Sequence, residues 1–205
     1  MRWVLKSVAV AFAMMLSFAG PSFAQNAPIP PAISAALTTA IANGDSTAIA
    51  AFVAANPDSA NAIIGAVGNN ATLLGAVVTA SAGNPATLTS VSGGIVATGN
   101  AVLIAQVIVN TSANPLATNA LGAAVANSGN VGLAVQVVQN VKSSNNTLAV
   151  TVAEVIVTTA GAGTAMANAT SGAANSGSGG QSNTGGAFTQ NSTANNAAQN
   201  GSPSR

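Results

Sequence analysis

Residues 84–113 and 114–143 carry nearly the same text, and a chain that repeats itself at such a period builds a row of equivalent units. Displaced by thirty positions, Asn84-Pro85 falls on Asn114-Pro115, Gly99-Asn100 on Gly129-Asn130, Leu103 on Leu133, Gln106-Val107 on Gln136-Val137 and Asn110 on Asn140. A repeat unit cannot bury its apolar face alone and must stack on its neighbours.

The period inside each unit is helical. Apolar residues recur at spacings of three, four, seven and eight, as in Leu73, Leu74, Val77 and Val78, then Leu103, Ile104, Val107 and Ile108, then Leu133, Val137, Val138 and Val141. Between these stretches stand residues that favour helix starts: Asp45, Asn56, Asn70, Asn84, Asn100, Asn114, Asn130 and Asn146. Their side chains can accept from the orphan N–H groups of a first turn, and a following Pro loses nothing because its nitrogen would be unpaired there anyway. Gly99 and Gly129 suit the left-handed residue that closes a preceding helix. The sequence therefore predicts an all-α fold, an α-solenoid of short helices. About four hairpins of ~30 residues (31–55, 56–83, 84–113 and 114–145) are followed by a closing helix at 147–160. The competing reading is a β-solenoid, because Val102 to Val109 and Thr147 to Thr158 are rich in β-branched residues. Alanine-rich stretches at 32–42 and 47–55 favour helix.

The flanks differ in kind from the repeats. Residues 1–24 read as a secretory signal peptide, with Arg2 and Lys6 before the apolar run Ser7 to Gly20 and small residues leading to cleavage after Ala24. That apolar run is shorter than the ~20 residues a membrane span needs, so no transmembrane helix is expected in the mature chain. Residues 25–30 form a Pro-rich lead, 31–160 the helical repeat domain, and 161–205 a Gly/Ser/Asn-rich segment whose composition predicts a disordered tail.

Composition excludes most chemistry. Only 3% of the 205 residues are charged and the chain has no Cys and no His. With no basic patch, nucleic acid is not expected as a partner. Without imidazole or thiol there is no ready general base, nucleophile or soft metal ligand, and no cofactor is implied. Asp45, Asp58 and Glu154 are scattered, and the two aspartates sit where a carboxylate is expected for helix-start reasons alone. Lys142 is the one internal cation and follows a helix end, where positive charge suits the dipole. An enzyme is not expected. The recurring polar features are neutral amides: Gln106 with Asn110, and Gln136 with Asn140, four residues apart on successive repeats, mark a candidate contact face.

These features lead to a non-enzymatic secreted or cell-surface scaffold that self-associates through its repeats or engages another envelope or surface protein. The alternative is a periplasmic α-solenoid that binds a peptide or partner protein. Low net charge, +1 for the whole chain, removes the repulsion that keeps copies apart.

Overall fold

The computed structural model describes residues 27–176, and within them the chain is all-α. Ten α-helices follow one another: α1 Pro31–Asn43, α2 Ser46–Ala55, α3 Ala60–Val67, α4 Ala71–Ser81, α5 Pro85–Ala97, α6 Ala101–Asn110, α7 Pro115–Asn127, α8 Val131–Ser144, α9 Asn146–Ala160 and α10 Ala165–Asn175. A single 3-10 turn, Pro57–Ser59, precedes α3. The stretches open to a β reading lie in α6 and α9, and no strand occurs among the described residues. The proposed signal peptide and residues 177–205 lie outside the described residues.

Six of the ten helices, α2 and α4 to α8, begin on the side chain that the sequence marks for them. Asp45 Oδ1 accepts from the Ala48 N–H at 2.9 Å, and Asn70, Asn100 and Asn130 accept from Leu73, Leu103 and Leu133 at 3.0, 3.1 and 3.0 Å. Asn84 accepts from Ala86 and Thr87, and Asn114 from Ala117. Pro85 and Pro115 stand at the first turns of α5 and α7. For α9 the cap is Asn145, whose Oδ1 accepts from the Leu148 N–H, and Asn146 becomes the first helical residue. Two adjacent asparagines offer the same chemistry, and the backbone chose the earlier one. Asn56 stands at the start of the 3-10 turn, but its side chain makes no cap bond there; its amide instead donates to Phe52 O at 3.0 Å at the end of α2. Gly99 and Gly129 take φ of 66° and 68°, the left-handed residues that end α5 and α7.

A larger difference concerns the end of the repeat domain. The sequence places the tail from Gly161 onward, yet Ala165–Asn175 forms α10, capped by Thr164 Oγ1 accepting from the Ala167 N–H. The helix at 146–160 is therefore followed by another and does not close the helical domain. Composition concealed α10 because its buried face is nearly all small: Ala167, Thr170, Ser171, Ala173 and Ala174, with Met166 the one large apolar side chain. Thr170 is satisfied within its own helix, donating to Met166 O at 2.8 Å.

Packing follows a rule of two. α2, α4, α6, α8 and α10 touch in succession, and α3, α5, α7 and α9 form a second succession. The middle helices of the second series are buried nearly all round: Val91 to Val96 in α5 and Ala120 to Ala126 in α7 are all buried. Short side chains allow this, since a helix surrounded by neighbours must present little bulk on every side. Glycine sets the closest approaches. A Cβ on Gly94 would lie 3.0 Å from the Ile64 side chain across α3 and α5, and one on Gly122 would lie 3.0 and 3.2 Å from Val155 Cγ1 and Cβ across α7 and α9. The lead is fastened as well: the Ala27 N–H donates to Asp58 O, and Ser59 Oγ donates to Pro28 O at 3.0 Å.

One position fits poorly. Ser92, at the α5 register position that Gly122 occupies in α7 (122 − 92 = 30), is fully buried and its hydroxyl has no hydrogen-bond partner. An unpaired buried hydroxyl costs about 1–3 kcal/mol, so Ser92→Ala is expected to raise stability by about 1 kcal/mol in urea unfolding. Gly122→Ala should do the opposite. Alanine's helix preference of ~1 kcal/mol is outweighed by overpacking against a branched Val155 that cannot yield, for a net loss of about 1 kcal/mol. Gly65 in α3 has nothing within 4 Å of the added methyl, so Gly65→Ala should gain about 0.5–1 kcal/mol in the same assay.

Candidate functional site

α6 and α8 are neighbours in the first packing series, and Leu103, Ile104, Val107 and Ile108 of one and Leu133, Val137, Val138 and Val141 of the other turn inward. Helical spacing then fixes what remains outside. On α6 the exposed residues are Val102, Gln106 and Asn110, each four after the last; the register repeats on α8 as Gly132, Gln136 and the half-buried Asn140. On α4 the equivalent exposed positions are Thr72, Ala76 and Ala80. The two amide pairs thus occupy one register on adjacent helices. Val102, 54% exposed, is the one large apolar side chain left open among the described residues.

The amides do not bond to one another. Among the described residues, no side chain of Gln106, Asn110, Gln136 or Asn140 has a protein hydrogen-bond partner, so the face is an open set of donors and acceptors rather than a closed ladder. Asn110 also has a packing role: a Cβ on Gly75 of α4 would stand 3.0 Å from Asn110 Cβ, so the missing side chain lets α6 approach α4 there.

Charge is absent from this surface. The 83 residues from Ser59 to Val141 (141 − 59 + 1) contain no Asp, Glu, Lys, Arg or His. Asp45 caps α2, Asp58 lies in the 3-10 turn and Glu154 is exposed on α9, so the three carboxylates occupy separate elements. No group of three His, Cys, Asp or Glu that could hold a metal ion occurs among the described residues. No described helix is long and apolar enough to cross a membrane. A shallow hollow of about 450 Å³ lies between the α1–α2 turn and α4, lined by Ile41, Asn43, Gly44, Thr72, Leu73 and Ala76, with no ionisable group on its wall.

Lys142 has a role that its position in the sequence does not reveal. It sits in the last turn of α8, but its Nζ donates to the carbonyl oxygens of Ala173, at 3.4 Å, and Ser176 at the end of α10. A cation at the carbonyl end of a helix satisfies unpaired acceptors and suits the macrodipole, and here the helix served is another one. The signal available in sequence was the Gly161/Gly163 break followed by Thr164, a helix start like those before it.

Comparison with protein-family models, characterised proteins and solved structures yields no match. Replacing Lys142 by Met keeps the aliphatic stem and removes the charge. Hydrogen exchange in α10 is expected to quicken severalfold, corresponding to about 1 kcal/mol, while α4 to α6 keep their protection. Unchanged exchange in α10 would show the lysine contact to be inert.

Proposed function

We propose that the ten helices are stacked as a short α-solenoid and that the protein is a non-enzymatic, exported scaffold which associates with further copies of itself through the exposed face of α6 and α8. The packing of the helices from α2 onward, each on the one two places along, supports the first part, since that is how paired helical repeats bury a continuous core. The observation that carries the second is the uncharged run from Ser59 to Val141 together with the open amides of Gln106, Asn110, Gln136 and Asn140. Unpaired neutral amides offer hydrogen bonds to a partner with a small desolvation cost, whereas charges would have to be stripped of water or matched. Two copies presenting this face to each other meet no like-charge repulsion. The Arg2/Lys6 start and the apolar run after it support export, with cleavage after Ala24.

Two like charges on the face should prevent the contact. Gln106→Lys with Gln136→Lys, both at exposed positions, is expected to leave stability within ~0.5 kcal/mol and to weaken association at least about tenfold at low salt, with partial recovery as salt screens the charges. Sedimentation velocity of the full secreted chain measures this. Assembly that is indifferent to both lysines would place the contact elsewhere, and a wild-type chain that stays monomeric at millimolar concentration would end the scaffold reading. Intact mass of protein recovered from the medium or envelope tests cleavage after Ala24.

A further inference from the structure

We propose that α10 is an exchangeable arm: the α10 of one copy docks on the α8 and α9 of a second copy in place of that copy's own. The link between α9 and α10 is built to turn back sharply. Gly161 has φ 89° and ψ 133°, and Gly163 has φ 85°, backbone conformations that residues with a side chain rarely adopt. The same glycines are free to take extended conformations, so opening this link costs little local strain.

Little bulky apolar surface holds the arm. Its buried face contains one large apolar side chain, Met166, and otherwise Ala167, Thr170, Ser171, Ala173 and Ala174. The tie at its far end is the Lys142 ammonium on the carbonyls of Ala173 and Ser176. Its principal packing partners are α8 and α9, so it can leave without separating any other pair of helices.

The surface that it uncovers has a known complement, which is α10 itself. Exchange between copies recreates the contacts of α10 with α8 and α9, including the Lys142 tie, and requires no new surface to be complementary. Nothing on the acceptor side repels a second copy, since Lys142 and the exposed Glu154 are the charged residues of α8 and α9. The occupant is therefore a second copy of this chain. Gln106 and Gln136 stay exposed with α10 docked, so the contact does not use them.

The experiment uses the full secreted chain carrying Gln106→Lys and Gln136→Lys, so that the amide face is silenced, with light scattering after size exclusion from micromolar to millimolar concentration. Adding Gly161→Ala and Gly163→Ala strains the closed link only, and the dimerisation constant is expected to rise at least about tenfold. In that dimer α10 should stay protected in hydrogen exchange, because it is docked on the partner; a helix that had merely come loose would lose protection. Adding Met166→Asp instead should abolish the dimer, and circular dichroism shows whether the remaining helices persist. A dimerisation constant unmoved by the two alanines, a dimer that survives Met166→Asp, or an α10 unprotected in the dimer overturns the exchange. Association seen only when Gln106 and Gln136 are intact also overturns it, while leaving the amide-face reading in place.

Discussion

The structure depends on how closely helices two apart in sequence approach each other. Short helices of 8 to 15 residues are marginal alone, and what stabilises them is the neighbour that each one touches. Few of these side chains are large, so the apolar area available per helix is modest and must be recovered through proximity. Gly75 against Asn110, Gly94 against Ile64 and Gly122 against Val155 are the points where backbone stands in for side chain, one in the first packing series and two in the second. Dispersion between close-packed atoms falls steeply with any gap, so a methyl group at such a point is felt across the pair. The same economy explains why α5 and α7 can be buried on all sides, and why Ser92 can be enclosed without a partner where its repeat counterpart is glycine.

Helix starts were legible because their chemistry is local. An asparagine three residues before a leucine can satisfy that leucine's N–H whatever surrounds it, so Asn70, Asn100 and Asn130 could be read without knowing the fold. Where two asparagines adjoin, local chemistry does not choose between them, and Asn145 rather than Asn146 caps α9. Asn56 was misread because an amide can also donate: it serves the end of α2 instead of the turn that follows. The helices within 84–113 and 114–145 are legible for the further reason that large apolar residues mark their inner faces. α10 has one such residue, so periodicity had almost nothing to register.

The same contrast holds for the candidate site. Gln106, Asn110 and Gln136 are exposed because the positions between them are taken by Leu103, Ile104, Val107 and Ile108, or by Leu133, Val137 and Val138, which fill the interior; exposure is the complement of a pattern already present in the sequence. Lys142 is different. Its partners Ala173 and Ser176 lie 31 and 34 residues further on, in a helix that composition did not announce, so its tie could not be inferred from neighbours in the chain.

The last of the described helices bears on how copies could meet. Terminal units of helical arrays differ from internal ones because one of their faces has no next repeat to cover it. At the α10 end the change is made by subtraction: the positions that hold leucine and valine in α6 and α8 give way to alanine, serine and threonine, and the buried hydroxyl of Thr170 is turned back onto its own helix. The outward residues of α10, Ala165, Asn168 and Asn175, are neither large and apolar nor charged, so that side gives a further copy little reason to stack on it. That leaves the exposed face of α6 and α8, with its open amides, and the underside of α10 as the described surfaces with something specific to offer. Both are uncharged over most of their extent, and a chain with so few ionic groups must obtain specificity from shape and hydrogen-bond geometry, because it has almost no electrostatic means of rejecting a wrong partner.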